Sequence, residues 1–290
     1  MDHDRRPDKR LCKTHPDPPE IKPYCTEDIF ERCIRRSDAI EKARHKLSQN
    51  VEYKPYLDRC MSIISRFSDV YQYDMPLMVS VHALVMLQVL VSIIKLHLRD
   101  VGASYWMFVS MVCFKVSAAF HGPIEVSIQG MLEALKVNCK DEEKLKVNKR
   151  TYRMTEEILL ARTNWSLFFP TPSDFCDFIK ERSIEMVTPL GSIMSTCCSD
   201  HAVHGVLCLC LSKWEMLGHS FHAIAIAAIA TILRLKSVPS AESGGDYPDD
   251  GMIENIMGYD SEVKGARDCA RLTYYMVKEQ LSAYRAAKSD

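Results

Sequence analysis

An all-α fold is predicted by three features of this sequence. Apolar residues recur at spacings of three and four, as in Tyr56, Cys60, Ile63, Ile64, Phe67 and Tyr71, which places them on one face of a helix. Runs with strict apolar–polar alternation, the mark of half-buried strands, are scarce. Glycine is sparse too, with 11 in 290 residues, too few for a turn-rich sheet protein.

The elements follow in order. Residues 1–25 are Asp, Arg, Lys and Pro with no apolar period, a disordered tail that cannot bury enough surface to order itself. Arg5-Arg6 and Lys9-Arg10 in it fit both a nuclear import signal and plain solvated charge. A first helix starts at Thr26, whose hydroxyl can cap it, with Glu27 and Asp28 in the first turn. Its apolar stripe is Ile29, Phe30, Cys33 and Ile34, and it continues, with a break, to Leu47. Pro55 sits in the first turn of the next helix, where its missing N–H costs nothing. A helix at 76–98 is almost wholly apolar from Leu77 to Ile94. That run is long enough to span a bilayer. His82, Gln88, Ser80 and Ser92 would each be costly in lipid, so a central helix covered by its neighbours is expected.

A helix at 104–119 is stopped by His121-Gly122-Pro123, and one at 124–137 carries Ile124, Ile128, Met131, Leu132 and Leu135 on one face. A charged loop at 138–148 leads to a helix at 149–165, and Pro170 closes the first half. Thr171-Pro172-Ser173-Asp174 opens the second half, with Thr171 as cap and Asp174 reaching back. Two apolar helices at 199–217 and 220–236 follow, then a Ser/Gly/Pro/Asp loop at 237–251, a short helix around Ile256 and a last helix at 260–286. The expected organisation is a tail at 1–25, a helix and first bundle at 26–170, and a second bundle at 171–290. Each bundle has about five helices and a small-residue helix at its centre.

Composition bounds the class. A hydrophobic share of 47% and a charged share of 26% fit a globular chain. A net charge of −1 gives no bulk drive toward nucleic acid or an anionic membrane, so neither is expected as a partner. The 12 cysteines fall mostly in apolar helical faces, as Cys60, Cys113, Cys208 and Cys210 do, and no signal peptide opens the chain. Reduced, buried thiols of an intracellular protein are the preferred reading.

Catalytic chemistry finds little footing. Cys197, Cys198, His201, His204 and Cys208 invite a metal reading, but no Cys-x-x-Cys pair is present and Cys208 lies in an apolar run. Gly218-His219-Ser220-Phe221-His222 lacks the second glycine of a nucleophile elbow and follows a helix rather than a strand; Ser220 reads as a cap. Thr171-Pro172 and Thr188-Pro189 are minimal sites for proline-directed kinases, with Thr171 already used as a cap. No enzyme activity, cofactor or metal is expected.

Two charges break the helical pattern. Lys115 ends a nearly unbroken apolar run, and Glu156 sits early in its helix. A lysine there carries its charge to the surface, where a carboxylate from a neighbouring helix can pair with it. Such a pair at the rim of a helical core is a docking point for another protein, or a local ion pair worth about 0–1 kcal/mol.

Val112-Cys113-Phe114-Lys115, the 124–137 helix, and Met154-Thr155-Glu156-Glu157-Ile158-Leu159 ahead of Phe168-Phe169-Pro170-Thr171 resemble the cyclin box. With helix order included, the resemblance spans 55–285. The acidic residues that usually follow the lysine are replaced by Val116-Ser117-Ala118, and the Met-Arg-Ala-Ile-Leu substrate patch is absent from Tyr56 to Ile63. The resemblance implies two five-helix bundles in tandem with an extra N-terminal helix. It also implies a regulatory subunit for a cyclin-dependent protein kinase, with Lys115 and Glu156 touching that kinase, or a cyclin-fold scaffold that has lost kinase activation and serves transcription or another cell-cycle pathway. Thr26-Glu27-Asp28-Ile29, Pro123 to Leu135, Ala223 to Ala228 and Gly265 to Tyr275 are similar to the divergent meiotic crossover branch, called cyclin N-terminal domain-containing. That likeness implies a nuclear protein of meiotic crossover formation, with other recombination proteins as further partners.

Overall fold

A computed structural model describes residues 26–72, 74–93, 103–122, 125–137, 142–163, 169–185, 189–237, 256 and 265–289. The described residues are helical with short connections, and none of them forms a strand. The expected tail at 1–25, most of the 237–251 loop and all but Ile256 of the short helix lie outside them.

The helices are α1 (Thr26–Ser48), α2 (Lys54–Val70), α3 (Met78–Ile93), α4 (Ala103–His121), α5 (Ile128–Ala134), α6 (Glu142–Arg162), α7 (Pro172–Glu185), α8 (Pro189–Cys197), α9 (Asp200–Leu211), α10 (Phe221–Ser237) and α11 (Ala266–Ser289). Short 3-10 turns stand at Val51–Tyr53 and Trp214–Gly218. Helix α4 packs against α2, α3 and α6, while α10 packs against α7, α8, α9 and α11. One contiguous apolar core runs through both sets. Where the second set begins, Pro170 to Ser173 are all buried.

Several elements differ from the sequence expectation. Helix α1 runs without a break, and its buried stripe is Ser37, Ile40, Arg44 and Leu47, with Ile34 36% exposed. Helix α5 is shorter than 124–137. Ser127 is extended, and its hydroxyl accepts the Gly130 N–H at 2.9 Å, fixing the start. At the other end Val137 N–H reaches Leu132 O and Lys136 N–H reaches Glu133 O, with Lys136 left-handed at φ 58. That is a Schellman close with lysine where glycine is usual. Most of the expected charged loop at 138–148 belongs to α6, which begins at Glu142. Glu and Lys are good helix formers, and two acids suit a first turn. Helix α8 has no counterpart in the sequence expectation. The expected helix 199–217 ends at Leu211 and gives way to the 3-10 turn.

Other expectations hold. Helix α3 is covered on all sides, with Val79 to Val91 buried. No helix among the described residues is long and apolar enough to cross a membrane. Asp174 Oδ2 accepts both the Thr171 N–H at 2.6 Å and the Thr171 hydroxyl at 2.9 Å. Ser220 Oγ accepts the Ala223 N–H at 3.1 Å, so it caps α10. The nine described cysteines are free thiols. Burial pushes Cys60 and Cys210 up to about 12, which leaves them inert as nucleophiles.

Arg44 was not singled out by the sequence. It lies on the apolar stripe of α1 and is fully buried. Its guanidinium donates to Gln88 Oε1 at 2.7 Å, His219 O at 2.9 Å and Met216 O at 3.2 Å, and it stacks 4.4 Å from the Phe221 ring centroid. Gln88 in turn donates to Leu211 O at 2.8 Å, and Glu41 accepts the Phe221 N–H at 2.9 Å. Burial pushes the Arg44 guanidinium down to about 10, against the pull of Glu41, so it stays charged at neutral pH. The network ties α1, α3, α9 and the start of α10 together. Its sequence signal was the position of Arg44, four after Ile40 and three before Leu47.

Candidate functional site

Lys115 leaves the core where α4 crosses α6. Phe114, Val116, Ser117 and Ala118 around it are buried, while Lys115 itself is half-buried. Its ammonium lies 5.6 Å from the ring centroid of Tyr152, on α6, within reach of a cation–π attraction. Tyr152 is fully buried, and its hydroxyl donates to Glu156 Oε1 at 2.9 Å, one turn further along α6. Burial, then the charge of Glu156 and the hydrogen bond to it, raise the Tyr152 phenol. The phenol therefore stays protonated and remains a donor.

The two charges singled out from the sequence are thus held on one tyrosine. Among the described residues they do not meet as an ion pair, because Tyr152 stands between them. This corrects the expectation of a direct pair. Tyr152 is the residue that sequence reading missed, although its spacing of four from Glu156 was visible. Glu157, the neighbouring carboxylate, is exposed, so the two glutamates are distinct in setting. The arrangement presents a cation and a carboxylate from a rigid base. Tyr152 occupies one oxygen of Glu156 and lies beside the Lys115 ammonium without taking its N–H donors.

The cysteine and histidine cluster of α8 and α9 does not converge. Among the described residues no group of three or more His, Cys, Asp or Glu side chains is placed to hold a metal ion. His204 Nε2 lies 2.8 Å from Ser173 Oγ, and Cys208 Sγ lies 3.8 Å from Leu77 O. Cys197 O accepts from Lys236 Nζ at 2.6 Å. Thr171 is 1% exposed, which closes it to a kinase in the folded chain; Thr188 lies outside the described residues.

Two clefts of about 470 and 540 Å³ share Met61, Ser65, Asp69 and Ser212 between α2 and α9. Their rim charges are mixed, with Lys54 paired to Glu215 at 3.2 Å.

No protein-family model matches the chain, and no curated protein is similar to it.

Proposed function

We infer that this chain is a cyclin-like regulatory subunit that binds a cyclin-dependent protein kinase and catalyses nothing itself. The observation that carries the reading is the Lys115–Tyr152–Glu156 unit. It offers opposite charges from two helices, α4 and α6, on a buried support. A cyclin-like arrangement is supported by the gathering of α2, α3 and α6 on α4, and of α7, α8, α9 and α11 on α10. The resemblance of this region to the cyclin box gives the class of partner. The finer reading is a nuclear protein acting in meiotic crossover formation, beside other recombination proteins. It rests on the short sequence likenesses alone.

A second reading is a cyclin-fold scaffold without kinase activation. It is favoured by one observation: Tyr152 already engages both charges within the chain, so the unit is also explained as an internal clasp.

Purification of the tagged full chain from its native tissue tests the two together. The kinase reading expects a stoichiometric protein kinase, identified by mass spectrometry, whose activity rises when the pure chain is added. A co-purifying kinase with unchanged activity supports the scaffold. No kinase in the complex rejects the first reading.

A further inference from the structure

The cleft of about 470 Å³ between α2, α3, α9 and α11 holds none of the Lys115–Tyr152–Glu156 unit. Its walls are mainly apolar, with Met61, Ile64, Leu77, Leu84, Val206 and Leu209 among them. Its floor lies deep in the fold, since Met61, Ile64 and Leu84 are at most 3% exposed. Its rim, at Ser65, Asp69, Gly205 and Gln280, is exposed. The volume falls within the roughly 300–1,000 Å³ of small-molecule sites.

Two residues of this cleft are not explained by the fold. The first is Ser80 on α3, which lines the cleft and is 3% exposed. Other helical serines satisfy themselves on their own backbone: Ser92 donates to Val89 O at 2.8 Å, Ser110 to Trp106 O at 2.9 Å and Ser212 to Leu209 O at 2.8 Å. The Ser80 hydroxyl makes no hydrogen bond to any described residue. It is not sealed in the core either, as Trp106 Nε1 and Thr231 Oγ1 are, so it faces the cleft. A buried hydroxyl left unpaired is costly. The second is Gly205, inside α9, where glycine weakens a helix relative to alanine. A Cβ there would meet nothing within 4 Å, and its φ is not positive, so neither packing nor backbone requires the glycine. It leaves the α9 wall open to close approach from outside.

We propose that this cleft binds an uncharged, mainly apolar small molecule that carries a hydroxyl or carbonyl on the end entering first. That polar end meets the Ser80 hydroxyl, and the apolar body lies on Met61, Ile64 and Leu84 and passes over Gly205. Among the described residues no Lys, Arg or Glu lines the cleft, and Asp69 and His201 stand exposed at its rim. A charge carried to the floor would find no counter-charge there. Asp69 is three residues from Arg66 on α2, so the rim selects no charge. One turn of a helix, about 10–12 Å across and 5.4 Å long, already fills a space of this size. The cleft therefore suits a small molecule better than a length of chain. This site does not depend on the kinase reading.

The test titrates the full chain with prodan, an uncharged naphthalene that bears a ketone on one end and fluoresces further to the blue in apolar surroundings. The same molecule without the ketone and the charged anilinonaphthalene sulfonate serve as comparisons. Prodan should bind saturably, one to one, and more tightly than either comparison. Ser80→Ala should weaken prodan about five- to tenfold and leave the ketone-free molecule unchanged. Gly205→Trp should abolish binding of both by filling the open wall. Neither variant should lower the melting temperature, because Ser80 gives up no hydrogen bond within the chain and Gly205 has room for a side chain. Absence of saturable binding overturns the proposal, as does binding indifferent to both variants. A melting temperature lowered by Ser80→Ala would make the hydroxyl structural and overturns it too. A short Leu-rich helical peptide that binds more tightly than prodan and is lost with Gly205→Trp would assign the cleft to a partner protein instead.

Discussion

Helices α4 and α10 are the two hubs of the molecule, and they differ in what they do with their surfaces. Helix α10 is buried from Ala223 to Leu233 without interruption. Alternating Ala and Ile let α7, α8, α9 and α11 approach it from all sides, and between His222 and Arg234 none of its residues reaches solvent. Helix α4 is equally apolar through Phe114 but opens at Lys115 and again at Ala119 to His121. Its core contacts are aromatic, Phe67 to Phe114 at 5.2 Å and Tyr56 to Trp106 at 5.4 Å between centroids. The contrast separates a helix whose charges stand only in its last turn, at Arg234 and Lys236, from one that shows a charge before its end, at Lys115.

The largest effect expected is at the network that fastens the start of α10. Arg44→Ala strips three hydrogen bonds and leaves buried carbonyl acceptors unmet, for a loss of about 3–5 kcal/mol. Denaturant unfolding measures it. Hydrogen exchange should show α10 and the 214–218 turn loosening before α4; equal loosening of both hubs would break the distinction. Ile226→Ala, wholly inside α10, should cost about 2–5 kcal/mol. Lys115→Ala on α4 should cost about 1 kcal/mol or less, since it removes a partly exposed cation–π contact. Equal losses at the two sites would mean that Lys115 is structural.

A smaller effect comes with pH. Burial lowers His204, helped by Lys180, His201 and His121 and opposed by Asp200. Burial and then Arg44 lower His219, against Asp268. Both lie below their unfolded value of 6.5, so the unfolded chain takes up the protons first. Their contribution to stability is complete above pH 6.5, falls as pH drops below it, and levels off once the folded residues also protonate. Melting temperatures from pH 7.5 to 5 check this, and His204→Gln should flatten the slope.

Much of this was legible in the sequence, for reasons that differ by element. The two hubs announced themselves, because a run such as Ala223 to Ile232 can only be buried. The cap at Ser220 and the reach of Asp174 back to the Thr171 N–H followed from local chemistry, while the Thr171 hydroxyl, expected as a cap, donates to Asp174 instead. The start of α6 did not, since Glu142 to Asn148 look like a loop by polarity while being helical by propensity. Helix α8 was too short to show a period. Arg44 and Tyr152 needed three dimensions: a lone charge on an apolar stripe and a buried phenol acquire meaning only through partners such as Gln88, from a different helix, or Lys115 across the α4–α6 crossing.

The kinase reading turns on the Lys115–Tyr152–Glu156 unit, and charge reversal tests it most directly. Lys115→Glu and Glu156→Lys would be compared with Tyr152→Phe, which removes only the hydroxyl and costs about 1 kcal/mol. Affinity for the co-purified kinase and melting temperature would be measured side by side. The docking role predicts that each reversal weakens the complex by about 2–5 kcal/mol, the penalty for an unpaired charge in a desolvated interface, with the melting temperature within a few degrees of the parent. Unchanged affinity in both folded variants would contradict it and leave the unit as an internal clasp.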